Sequence, residues 1–300
     1  MKALFAFSGQ GAQAVGMGRD LCEASAAARD VFASADQVLG YGLSSICFDG
    51  PAEKLTETRY CQTAIYTMSC AALAAFREKY PDVEPVACAG LSLGEYAALF
   101  AAGAFSFADG LKLLQQRADF MDAACKAVKG GMASILGGDP AVIAEVCAAC
   151  DIDVANYNCP GQIVISGEAE KVEKACADLA GRGFRKVIPL TVAGAFHSRL
   201  MKTAGERLAE VLKTAPIARP KVPVFQNFTG KAPENVDAIR ANLSSQVAGS
   251  VRWEDCVRGA AALGADTMIE FGPGAVLTGL ARRTIAEMQR ININGKDFAL

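Results

Sequence analysis

Histidine is nearly missing from this sequence. The 300-residue chain has one, His197, so a mechanism that needs two histidines is excluded and one that needs a single histidine has one candidate. Long apolar runs are also absent. Hydrophobic residues make up 52% of the chain, but no stretch approaches the ~18 uninterrupted apolar residues of a membrane helix; the apolar content lies in alanine-rich helical patterns. There is no basic excess either. A net charge of −2 argues against a general nucleic-acid binder, which needs a clear cationic stripe. The opening MKALFAFSGQG carries one lysine and a short apolar run, too little for a signal peptide, and reads as a first buried strand. Paired cysteines are lacking as well. Eleven are scattered singly in a chain without an export signal, which points to a reducing, cytoplasmic compartment. The one C-x-x-C, Cys147 to Cys150, lies inside an alanine-rich helical pattern with no second pair and no nearby histidine, so the thiols read as small core residues and no metal is expected.

Hydrophobic patterning divides the chain into two rhythms. The apolar run Ala3 to Phe7 ends in Ser8-Gly9-Gln10-Gly11, a strand followed by a glycine turn. Helical patterns follow over 18–39 and 63–79, then a short buried strand over 86–90 and a helix over 95–102. A long helix is expected from Phe107 to Val128, stopped by Gly130-Gly131. Residues 129–193 then alternate in the order β-α-β-β-α-β, that of a split βαβ, ferredoxin-like unit. Beyond them come a helix over 199–213, a strand over 222–225, a helical stretch from Val236, a strand over 267–271 and a last helix. The expected fold is α/β: a parallel-sheet body of residues 1–128 and 194–300 carrying an inserted subdomain over 129–193.

Four places carry chemistry. Gly90-Leu91-Ser92-Leu93-Gly94 sits between a buried strand and a helix, where flanking glycines permit a nucleophile elbow that lifts the serine hydroxyl clear of the backbone. The same pentapeptide fits an ordinary glycine turn. His197 precedes Ser198, a suitable N-cap for the helix that follows, and reads either as a general base kept neutral at a helix N-terminus or as a histidine with a structural hydrogen bond. Arg117 shares one helical face with Leu113, Leu114 and Met121. A guanidinium on an apolar stripe needs an anionic partner, either an internal carboxylate or a substrate carboxylate. Gln10 lies in the first glycine turn, at the carboxyl edge of the sheet, and its N–H is a candidate second oxyanion donor.

Together these segments resemble the malonyl-CoA:acyl-carrier-protein transacylase family. The likeness runs through FSGQGAQ (7–13), GLSLGEYAAL (90–99), QQRADFM (115–121), NYNCPGQIVISG (156–167), AGAFHS (193–198), SVRW (250–253) and EFGPGAVLTGL (270–280). The resemblance implies an α/β-hydrolase-like core with the inserted ferredoxin-like subdomain. It implies Ser92 as acyl-accepting nucleophile and His197 as its base, with the N–H groups of Gln10 and Leu93 as oxyanion hole. It further implies that Arg117 binds the malonyl carboxylate and that a backbone carbonyl, matched to Gln246, orients the histidine. The implied partners are malonyl-CoA and holo acyl carrier protein, with no separate cofactor, and the standalone length suggests a monomer. An acidic carrier would need a local basic patch; Arg182, Arg185, Lys186, Arg199 and Lys202 are candidates by clustering, as readily read as a solvated charged face. The sequence departs from the family pattern at Leu91, where a histidine is usual, and at Ser8 and Thr63, where proline is common. Competing readings are a serine hydrolase, an acyltransferase serving polyketide assembly, and a non-catalytic scaffold. The hydrolase order runs serine, acid, histidine near the C-terminus, whereas roughly a hundred residues follow His197.

Overall fold

The computed structural model describes residues 1–300. From the N-terminus, β1 (Ala3–Phe7) leads into α1 (Arg19–Ala24), α2 (Ala26–Leu39), α3 (Leu43–Asp49), α4 (Ala52–Thr56) and the long α5 (Thr58–Lys79). Then come β2 (Pro85–Gly90), α6 (Gly94–Ala101) and α7 (Phe107–Ala127). Next are β3 (Gly130–Leu136), α8 (Pro140–Ala149), β4 (Asp153–Cys159), β5 (Gln162–Glu168), α9 (Ala169–Gly181) and β6 (Lys186–Leu190). A 3₁₀ turn (Arg199–Met201) opens α10 (Lys202–Leu212), followed by β7 (Val224–Phe225), α11 (Val236–Ala248) and β8 (Val251–Arg252). The chain ends with α12 (Trp253–Ala262), β9 (Thr267–Phe271), α13 (Val276–Thr284) and β10 (Gln289–Ile293).

Two five-stranded sheets result. The larger is parallel, in the order β10-β9-β1-β2-β7. Its inner strands β9, β1 and β2 are buried on both faces, as a sheet covered by helices on both sides requires, whereas the edge strand β10 is partly exposed. Along β1, Ala3, Phe5 and Phe7 enter one apolar cluster while Leu4 and Ala6 enter another. The smaller sheet runs β6-β3-β5-β4-β8; its first four strands are antiparallel, and β8 joins β4 in parallel. Ile163 and Ile165 of β5 pack under α8 and α9, whereas Val164 faces the main core. No helix is long and apolar enough to cross a membrane.

Several expectations need correction. Ser25 breaks the helix expected over 18–39 into α1 and α2: its backbone is extended and its hydroxyl accepts the Ala28 N–H, which starts α2 afresh. Gly130 and Gly131 do not stop α7; they are the first residues of β3. A Cβ on Gly130 would lie 2.2 Å from the Ala195 nitrogen, so close approach of the 194–196 segment requires glycine there. The strand expected over 222–225 pairs only at Val224–Phe225. Helices α3, α4 and α12 and strands β8 and β10 had no counterpart in the sequence reading.

Candidate active site

The turn around Ser92 is built by exclusion. Gly90 ends β2 beside Phe7, the last residue of β1, and the Leu91 N–H donates to the Phe7 carbonyl. A Cβ on Gly90 would lie 2.0 Å from the Gly94 backbone, and one on Gly94 would lie 2.3 Å from the Phe7 carbonyl oxygen. Only glycine fits at either position. Between them Ser92 adopts a left-handed φ of 54°, a strained conformation for a side chain other than glycine. The Asn227 side chain clamps it: its Oδ1 accepts the Ser92 N–H at 2.6 Å, and its Nδ2 donates to the Gly90 carbonyl at 2.8 Å.

His197 meets this serine across 105 residues of sequence, with Nε2 2.8 Å from Ser92 Oγ. Its Nδ1 lies 2.8 Å from the Gln246 carbonyl oxygen, which can only accept, so Nδ1 carries the proton and Nε2 is left to receive one. His197 also has a positive φ, 57°. Burial, then the nearby Arg117 charge, lowers its pKa from 6.5 to about 4, so the ring is neutral at neutral pH. Ser198 Oγ accepts the Leu200 N–H at 3.3 Å, the expected cap, although the first turn it caps is 3₁₀.

Arg117 is buried on α7 with the expected face of Leu113, Leu114 and Met121. It forms no ion pair with an internal carboxylate. Nη1 donates to Gln62 Oε1, Nη2 donates at 3.0 Å to both Gln246 Oε1 and Ser92 Oγ, and Nε has no partner. Burial lowers its pKa, with Tyr96 and Glu95 opposing. A buried cation beside Ser92 with only neutral partners has the chemistry to take an anion from outside.

Leu93 follows Ser92 directly and Gln10 lies in the turn after β1, and neither backbone N–H donates to an acceptor within the protein. They are therefore free to meet a developing oxyanion. Beneath the site, Glu95 of α6 is completely buried and accepts hydrogen bonds from Asn227 N, Gln226 Nε2 and Gln246 Nε2 at 2.7, 2.8 and 3.0 Å. Burial pushes its carboxyl up to about 7. The sequence reading missed Gln62, Glu95, Gln226 and Asn227; the one signal was a carboxylate in the otherwise apolar run GEYAALFA. Of the basic-patch candidates, Arg199 is bound to Asp151 and Asp153, and Arg182 to Glu145 and Asp178. Lys202 approaches Glu206 at 3.8 Å. Arg185 and Lys186 stand exposed without a carboxylate partner. The cysteines are all unpaired, with Cys22, Cys125 and Cys176 half-buried and the rest buried.

The chain is similar to known proteins over nearly its whole length. The family described as "Acyl transferase domain" matches residues 4–297. A malonyl CoA-acyl carrier protein transacylase of Bacillus subtilis is 42% identical, covering 98% of this chain and 93% of that protein. The crystal structure of the malonyl-CoA:acyl carrier protein transacylase from Xanthomonas oryzae pv. oryzae superposes with a TM-score of 0.94 at 38% identity, covering 98% of this chain and 96% of that one. A structure of a type II PKS acyl-carrier protein in complex with its malonyl-transacylase contains a chain matching at TM-score 0.94 and 34% identity, over 99% and 97% of the two chains.

Proposed function

The chain belongs to the acyl transferase domain family, and on that premise we propose that it transfers malonyl from malonyl-CoA to the phosphopantetheine thiol of acyl carrier protein, through a malonyl ester on Ser92. One observation carries the reading: Ser92 Oγ lies within hydrogen-bond reach of both His197 and a buried arginine that has no carboxylate partner. A malonyl group bonded at Ser92 has its free carboxylate two bonds from the acyl carbon, so an arginine beside the nucleophile is where that charge must be met.

In the first half-reaction His197 Nε2 takes the Ser92 proton as Oγ attacks the thioester carbon. The oxyanion is received by the Gln10 and Leu93 N–H groups, and collapse expels the CoA thiolate, which takes the proton from His197. In the second, the carrier thiol gives its proton to His197 and attacks the ester, and Ser92 leaves with that proton. One thioester replaces another, so the overall equilibrium lies near unity and the scheme requires no metal, nucleotide or redox cofactor. Arg117 confers selectivity by asymmetry, because an acetyl group would leave the guanidinium unpaired. The β3-α8-β4-β5-α9-β6 order and its antiparallel pairing support reading residues 129–193 as an inserted ferredoxin-like subdomain on an α/β-hydrolase-like body. A monomeric, cytoplasmic enzyme supplying fatty-acid synthesis completes the reading. Service to polyketide assembly is the second, favoured by the likeness to the malonyl-transacylase held with a type II PKS carrier.

Intact mass after mixing with malonyl-CoA tests the chemistry. The wild type should gain a malonyl adduct that Ser92→Ala lacks, and Arg117→Ala should acquire it about 10²-fold more slowly or worse. Chasing the adduct with holo acyl carrier protein should move it to the carrier. Steady CoA release without a transferable adduct would instead mark a hydrolase, and absence of both would end the reading.

A further inference from the structure

Glu95 touches none of the reacting atoms, yet one residue connects it to each of them. Through Asn227 it reaches the Ser92 N–H. Through the Gln246 side chain it reaches Arg117, and the backbone of that same glutamine holds His197. We propose that ionised Glu95 is the positioning residue of the transfer site, orienting Asn227 and Gln246 so that Ser92, His197 and Arg117 align.

The hydrogen-bond polarity requires the charge. Three N–H donors converge on the Glu95 carboxylate, two on Oε2 and one on Oε1. Asn227 contributes a backbone N–H, whose role is fixed. Gln226 cannot turn its amide round, because its Oε1 accepts from Asn242 Nδ2 at 2.9 Å. Gln246 cannot either, because its Oε1 accepts from Arg117. A proton on Glu95 finds donors and no acceptor among these three groups, and it makes the carboxyl a poorer acceptor for all of them, so the bonds weaken together. The elbow clamp and the glutamine that holds both the histidine and the arginine then loosen.

The groups facing Glu95 leave it alone in the neutral range. Arg117 faces it from α7 and Cys256 from α12, with Tyr96 beside it on α6; burial raises both the Cys256 thiol and the Tyr96 phenol far above the neutral range. His197, one residue away through Gln246, titrates near 4. Glu95 itself is displaced to about 7.

The inference rests on Ser92 and His197 acting as proposed above, so its test uses a probe that does not need malonyl-CoA. The rate of Ser92 sulfonylation by phenylmethylsulfonyl fluoride, read by intact mass from pH 5 to 9, reports the serine–histidine alignment directly. Wild type should slow as pH falls through about 7. Glu95→Gln sets an amide N–H₂ against a donor at any pH; it should react about tenfold more slowly or worse at pH 8 and lose the limb near 7. Glu95→Asp, which keeps the charge, should recover part of the rate and keep the limb. Thermal melts identify an unfolded variant, and the wild-type limb then stands as the readout. A wild-type rate without a limb near neutrality overturns the proposal, as does a folded Glu95→Gln that reacts like wild type. If malonyl-CoA forms no adduct while sulfonylation follows this pattern, the substrate assignment fails and the role of Glu95 stands.

Discussion

Two buried titratable groups of the site are displaced in opposite directions, and their effects on stability oppose each other. His197 falls from 6.5 to about 4. Between those values the unfolded chain binds a proton that the native site refuses, so its contribution is full above 6.5 and is lost as pH falls toward 4. Glu95 rises from 4.5 to about 7. Over that window the native state keeps a proton the unfolded chain has released, so its contribution is full below 4.5 and is lost as pH rises toward 7. Each displacement corresponds to about 3 kcal/mol. In the wild type the two slopes largely cancel between pH 4.5 and 6.5. Urea titrations should show little change in unfolding free energy from this pair across that window. Glu95→Gln should expose the histidine slope and lose stability as pH falls, and His197→Ala should do the opposite; parallel profiles for the two variants would contradict the opposed displacements. At this scale the sequence singled out Ser92, His197 and Arg117, each a chemically distinctive side chain in a telling local pattern, and the fold brings the last two within hydrogen-bond reach of the first. It could not disclose Gln62, Asn227 or Gln226, neutral amides without diagnostic spacing that matter only through the partners folding gives them. Gln246 was reachable only by resemblance, since its contribution to the histidine is a carbonyl that any residue type possesses.

Elements were legible where periodicity had room to repeat. The 21-residue α7 matched its expected span because Ser106 caps it, with Oγ accepting the Asp109 N–H, and the apolar stripe runs its length. β7 and β8, of two residues each, are too short to carry a period and exist because neighbouring strands offer register. The elbow is the element whose sequence and geometry agree most closely. Gly90→Ala places a methyl 2.0 Å from the Gly94 backbone, with no flexible side chain available to yield. The variant should lose about 3 kcal/mol or more, lowering Tm by roughly 5–10 °C. It should also sulfonylate Ser92 far more slowly than wild type, because separating β2 from α6 moves Oγ from His197 Nε2. A Gly90→Ala protein that keeps its melting temperature and its serine reactivity would show that the turn tolerates a side chain.

At the scale of the whole molecule, the two sheets share their apolar interior. Met132, Ala155 and Val164 of the smaller sheet lie in the same cluster as Phe5, Phe7 and Phe271 of the larger one. Cys159 of β4 lies in a second cluster with Leu4, Ala6 and Trp253. β8, in the C-terminal body, also completes the smaller sheet by pairing with β4. The site itself lies within the larger body, with His197 on the segment that follows β6 and Ser92 directly after β2. Trp253, the only tryptophan, is completely buried directly after β8 and reports on that junction. Unfolding followed by its fluorescence and by far-ultraviolet circular dichroism should give coincident transitions, because parting the two sheets would expose apolar surface that neither can cover alone. A fluorescence transition that precedes the loss of helix signal would mean that the bodies separate before they unfold. Ser92 sulfonylation would then outlast the earlier transition, since Ser92, His197 and the Gln246 carbonyl that holds the ring all belong to the larger body.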